Sequence, residues 1–204
     1  MKTSIYKPRT RLECPEHSLS PGSMPKYLSS MVSLSDDRIM FINEPFTRDL
    51  ASEFCALLLH YDNQCPHEEI IIHINSPGGE AGALMQMVDT MRMISSPTTV
   101  INIGSALSAG AFLLAAGDYR LGFKNALYML HGAQLTYPML CKDIKENADY
   151  LAFVEKMNNK VLNIIVEATG RPLELVREDC ARDLYMNSQE ALDYGLIDDI
   201  IGAP

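Results

Sequence analysis

The chain has 204 residues, 47% hydrophobic and 21% charged, with a formal net charge of −9. This composition fits one sizeable core, is short for two domains, and argues against nucleic acid or an anionic membrane surface as the main partner. No apolar run is long enough to span a bilayer, and the basic start, Met1-Lys2-Thr3-Ser4-Ile5-Tyr6-Lys7, leads into no apolar signal core, so the cytoplasm is the expected location. The 5 cysteines, Cys14, Cys55, Cys65, Cys141 and Cys180, form no Cys-x-x-Cys pair and read as free thiols in a reducing compartment.

Residues 1–35 are rich in Pro, Ser and basic side chains and show no periodicity, so they read as an N-terminal arm ahead of a single domain over 36–204. A first strand is expected at Arg38–Ile42. Thr47 is a candidate cap for a helix to about His60, with Leu50, Phe54, Leu57 and Leu58 recurring at helical spacing. Glu69–Ile74 reads as a strand buried on both faces, with His73 a core or edge histidine. Asn75-Ser76-Pro77-Gly78-Gly79-Glu80 is a turn that fits no nucleotide-binding pattern. A helix over about Ala81–Ile94 follows, then a strand at Thr98–Ile103.

Beyond it, short strands are expected at Tyr119–Phe123 and Ala126–His131, and one long helix over Cys141–Thr169, stopped by Gly170 and Pro172. A shorter helix over Leu173–Cys180, a Ser188-capped helix ending at Gly195, and a strand at Leu196–Ile201 complete the chain. Strands and helices alternate with short connections, which predicts an α/β domain of βαβ-type units.

Gly104-Ser105-Ala106-Leu107-Ser108-Ala109-Gly110 lies where a strand turns into a helix. A serine there is lifted from the core beside free helix N–H groups, which suits a nucleophile. The strict Gly-x-Ser-x-Gly elbow is absent, because Ala106 takes the first glycine position, and small residues can equally serve tight helix-on-sheet packing. Such a serine needs a base held by an acid. Of the 5 histidines, His17, His60, His67, His73 and His131, the strand-end His131 is the best base. The acid stays open among Asp118, Asp143, Asp149, Asp179, Asp183 and Asp193, because a triad assembles in space rather than along the chain.

Four segments in order resemble one family. They are Ile74-Asn75-Ser76-Pro77-Gly78-Gly79, Gly104–Leu114, Met129-Leu130-His131, and Arg182-Asp183-Leu184-Tyr185-Met186 followed by Glu190–Asp198. From Arg38 to Ile201 the chain resembles the Clp protease family of serine peptidases. That resemblance implies the ClpP/crotonase-like fold of repeated β-β-α and βαβ units with a long protruding handle helix. It also implies a catalytic triad of Ser108, His131 and Asp183, an oxyanion hole of the Gly79 and Ala109 backbone N–H groups, and an acyl-enzyme intermediate. Two stacked heptamers would enclose the sites, and a partner AAA+ unfoldase would use the ATP and feed in unfolded polypeptide, leaving this chain without a cofactor or metal.

The chain departs from the family's pattern at Gly132–Pro138, which is not glycine-rich, at Ala181, where an acidic residue is usual, and in the arm; a divergent or phage-encoded member fits. Two other functions stand beside this one: a non-catalytic subunit of a mixed ring, and a crotonase-type acyl-CoA enzyme.

Overall fold

Parallel pairing dominates the sheet. The computed structural model describes residues 31–34, 38–133 and 144–202. Strand β2 (Ile39–Ile42) runs parallel to β3 (Ile70–Ser76), and β3 parallel to β4 (Thr98–Leu107). The crossovers are helix α1 (Arg48–Gln64) and helix α2 (Ala81–Met93). Thr47 caps α1 as expected, its hydroxyl accepting from Leu50 N at 3.2 Å.

Ile70, Ile72 and Ile74 are buried and join Met40 and Ile42 of β2 in the core, against Leu50, Phe54 and Leu58 of α1 and Leu84, Met87 and Val88 of α2. The other face of β3 is only half-covered at Ile71 and His73, which corrects the expectation of burial on both faces. His73 lies edge-on to Phe41, with ring centroids 4.6 Å apart. Arg38, expected in the first strand, instead occupies a turn at φ 54°. Its buried guanidinium donates to the carbonyls of Tyr61, Glu68 and Glu69 and to Ser96 Oγ, tying the sheet edge to the end of α1.

Strand β4 changes partner along its length. Residues Thr99–Asn102 pair with β5 (Tyr119–Phe123), and Ser105–Leu107 pair with β6 (Leu127–Leu130). Asn102, fully buried, braces the fork: its amide donates to Leu127 O at 3.0 Å and its carbonyl accepts from Gly104 N at 3.1 Å. Helix α3 (Ala109–Ala115) then packs into the core through Phe112, Leu113 and Leu114.

Helix α4 (Ile144–Thr169) has 26 residues, about 39 Å at 1.5 Å per residue. Only its C-terminal part is buried, through Val161, Leu162, Ile164 and Ile165, whereas Leu151 and Phe153 remain exposed. Its expected start at Cys141, and the departing segment 134–138, lie outside the described residues.

Helix α5 (Leu173–Asp179), strand β7 (Leu184–Asn187), helix α6 (Ser188–Tyr194) and strand β8 (Asp199–Ile201) follow. The cap of α6 is Asn187 rather than Ser188: Asn187 Oδ1 accepts from Gln189 N and Glu190 N, and Glu190 reaches back to Asn187 N at 2.8 Å. Ser188 instead turns its hydroxyl inward to Phe123 O at 2.7 Å.

Three further differences matter. Strand β1 (Met31–Leu34), expected within the arm, pairs antiparallel with β2; the rest of the arm lies outside the described residues. Strand β7 was not expected as a strand, and it pairs antiparallel with β6. Cys65 is disulfide-bonded, so the free-thiol expectation holds for buried Cys55 and Cys180 but not there. Pairing depends on distance in space, which cysteine counting does not see. Among the described residues, no helix is long and apolar enough to cross a membrane.

Candidate active site

The carboxyl ends of β3, β4 and β6 meet at one edge of the sheet, where ligands collect in parallel α/β folds. The turn after β3 is held from below by Ser76, which is fully buried. Its hydroxyl donates to Glu44 O at 2.6 Å and accepts from Gly78 N at 3.1 Å. Gly78 lies against the end of β4: a Cβ there would stand 2.6 Å from Leu107 O and 2.8 Å from Ser108 Cβ. Gly79, at φ 156°, is clasped by Phe46, whose N–H donates to Gly78 O at 2.8 Å and whose carbonyl accepts from Glu80 N at 2.9 Å. The N–H of Gly79 itself donates no hydrogen bond among the described residues, and neither does that of Ala109.

Ser108 sits between β4 and α3 at φ 52° and ψ −126°, a backbone region that non-glycine residues rarely enter. Such strain costs on the order of 1–3 kcal/mol and persists only where the surroundings impose it. Here they do: Ser108 N donates to Met129 O at 2.8 Å, and Ser108 O accepts from Ala111 N at 2.9 Å. The hydroxyl caps nothing in its own helix.

His131 follows β6 directly. Its neighbour Gly132 donates to Cys180 O at 2.8 Å, and Ala133 N donates to Asn158 Oδ1 of α4, also at 2.8 Å. The β6–β7 register runs from Leu127↔Asn187 to Leu130↔Leu184. Continued by one step, it sets His131 opposite Asp183.

Gly79, Ser108, Ala109 and His131 line one cavity, together with Phe46 and Phe112. His131 also lines an adjoining cavity with Arg177, Cys180, Arg182 and Asp183. The five expected site residues are thus gathered around two cavities that share His131. The hydrogen bonds of a triad are not made among these described residues. His131 Nδ1 lies 2.5 Å from Gly132 O, and Asp183 Oδ2 accepts from Tyr185 Oη at 3.1 Å.

Most of the other acids left open by the sequence are engaged elsewhere. Asp118 accepts from Thr98 N and Oγ1, Asp179 from Tyr194 Oη, and Asp193 from Gln189 Nε2. Asp149 is exposed on α4, and Asp143 lies outside the described residues. Of the other histidines, His60 and His67 are exposed, burial holds the pKa of His73 below its ordinary value, and His17 lies outside the described residues. No metal-holding cluster of His, Cys, Asp or Glu occurs among the described residues. Ser76, Phe46, Asn158 and Tyr185 were not singled out from sequence; each matters through a contact made across the fold or along a strand unrecognised until its pairing is seen.

A family model described as Clp protease matches residues 23–204. The ATP-dependent Clp protease proteolytic subunit of Deinococcus radiodurans is 37% identical over 170 residues, spanning 82% of this chain and 82% of its own length. The ATP-dependent Clp protease proteolytic subunit 1 of Prochlorococcus marinus is 36% identical over 166 residues, 80% of this chain and 83% of its own. With that similarity across nearly the whole chain, and with the mixed α/β architecture described above, the chain belongs to the Clp protease family of serine peptidases.

Proposed function

We propose that the chain hydrolyses unfolded polypeptides with Ser108 as nucleophile, His131 as base and Asp183 as acid. The observation that carries this reading is the single cavity lined by Gly79, Ser108, Ala109 and His131, with Ser108 held at positive φ. His131, with its proton on Nδ1, takes the Ser108 proton through Nε2 as Oγ attacks the peptide carbonyl. The oxyanion accepts from the N–H groups of Gly79 and Ala109, which donate to no other group among the described residues and need no side chain and no reorganisation. His131 passes its proton to the departing amine, and the resulting acyl-enzyme is hydrolysed by water activated at the same nitrogen. In the assembled triad Asp183 accepts from Nδ1 and offsets the imidazolium charge.

The relatives are named as subunits of an ATP-dependent protease. In the proposed assembly a separate AAA+ unfoldase uses that ATP, and two stacked seven-membered rings of this chain enclose the sites. The exposed first half of α4, with Leu151 and Phe153, supports a role as the surface where the rings meet.

The test is intact mass after exposure to a fluorophosphonate, which reports a serine activated by its base. One adduct is expected, absent in Ser108→Ala. An adduct that persists in Ser108→Ala, or unchanged peptide hydrolysis by that variant, refutes the assignment.

A further inference from the structure

Two local hydrogen bonds keep the proposed base and acid apart. His131 directly follows β6 and Asp183 directly precedes β7, one step beyond the last pair Leu130↔Leu184, and side chains at opposed positions of such a register are ordinarily within reach of each other. Each is nevertheless bonded to a near neighbour in sequence: Asp183 Oδ2 to Tyr185 Oη two residues on, and His131 Nδ1 to the carbonyl of Gly132 next to it.

Tyr185 Oη donates to Asp183 Oδ2 at 3.1 Å, and His131 lines the same cavity as Asp183, so the tyrosine hydroxyl and the imidazole both have access to one carboxylate. Asp183 could in principle serve both through its two oxygens. As oriented by Tyr185 it does not, because no hydrogen bond joins it to His131. Tyr185 is 66% exposed, so little packing fixes its ring and water replaces Asp183 readily when the bond opens. The carboxylate in turn raises the pKa of the tyrosine, through the hydrogen bond first and its charge second, so the donor keeps its proton at neutral pH.

Resting on the triad reading above, we infer that Tyr185 is a positioning residue that holds Asp183 in a resting orientation and must release it before His131 is engaged. The resting site is a competition between two donors for one carboxylate. Whatever turns the Asp183 carboxylate toward the imidazole favours His131, and the tyrosine hydroxyl opposes it.

The experiment measures kcat and KM for a short fluorogenic peptide, and the rate of fluorophosphonate acylation, in the parent, Tyr185→Phe, Asp183→Asn and the double variant. Native mass spectrometry confirms that the particles compared have equal mass. Removing the hydroxyl deletes one exposed hydrogen bond, so kcat and the acylation rate are expected to rise about two- to tenfold with KM unchanged. The same change in the Asp183→Asn background is expected to give no gain. A fall in kcat, no change, or an equal gain without Asp183 overturns the inference. Asp183→Asn as active as the parent overturns the triad reading, and the inference falls with it. An inactive Asp183→Asn beside an unchanged Tyr185→Phe overturns the inference alone.

Discussion

Replacing Gly79 by alanine separates backbone geometry from side-chain chemistry, because it removes no functional group. A Cβ at Gly79 would stand 2.3 Å from Phe46 O and 2.6 Å from Phe46 N, and both are backbone atoms that cannot swing aside. The residue also holds φ 156°, where an L side chain is strained. Strain of about 1–3 kcal/mol and a clash of about 1–3 kcal/mol together predict a loss of roughly 2–6 kcal/mol in stability. For a domain of this size that lowers Tm by roughly 4–24 °C.

The clasp by Phe46 must open to admit the methyl group, so the Gly79 N–H turns away from the proposed oxyanion position. Losing one such donor slows acylation by about 10²–10³-fold. Differential scanning calorimetry reads the first effect. Fluorophosphonate labelling, run well below the lowered Tm, reads the second. A variant that melts with the parent and labels at the parent rate would refute both the close approach and the assigned donor.

Other outcomes follow from contacts away from the cavity. Arg38→Met takes the guanidinium donors from the carbonyls of Glu68 and Glu69 and from Ser96 Oγ, and leaves Tyr61 O to Cys65 N; urea unfolding should show a loss of about 3 kcal/mol. Asn187→Ala removes the side-chain half of the α6 capping box, leaving Glu190 to accept from the backbone N–H of residue 187, and should cost about 1 kcal/mol in the same assay; an unchanged midpoint would mean that Ser188 caps after all. Burial raises the pKa of the Cys55 thiol and pushes that of Cys180 up to about 11, with Asp179 adding to the second. Peptide mapping after iodoacetamide at pH 8 should find neither alkylated in the folded protein and both alkylated in urea. His73 has its pKa lowered by burial, so the unfolded chain binds its proton more readily; its contribution is complete above the unfolded pKa of about 6.5 and is lost as pH falls below it. Stability should therefore fall less between pH 7 and pH 5 in His73→Gln than in the parent, by chemical denaturation.

Most elements were legible because their signals are local. The Thr47 cap and the stripe of Leu50, Phe54 and Leu58 define α1, and β5 spans the expected Tyr119–Phe123. What stayed hidden depends on partners distant in sequence. Strand β7 has four residues and an exposed Tyr185, so it carries little pattern of its own; pairing with β6 makes it a strand. Strand β1 is likewise four residues, defined by β2. Asn187 and Ser188 are both good caps, and the choice is made by Phe123 O, which takes the serine hydroxyl. At the site, the strand-to-helix junction exposed Ser108, and a strand end singled out His131. Asp183 came only by resemblance, since its register opposite His131 belongs to a pairing that periodicity does not encode. Tyr185 was invisible for the same reason.

The fork in β4 divides the proposed site along a seam. Gly79, Ser108 and Ala109 belong to the junction of β3, β4 and α3, backed by the main sheet and braced by Asn102. His131 and Asp183 flank β6 and β7, which among the described residues pair with that sheet through the outer end of β4. The anion-binding half is therefore built like a fixed jaw, and the proton-handling half like a hinged one. A boronic acid, which needs a serine oxygen and donors for its charge, draws chiefly on the fixed jaw. A peptide amide, whose leaving group must be protonated, draws on both. Ligand capture and turnover in this chain should thus be separable properties, set on opposite sides of a single strand.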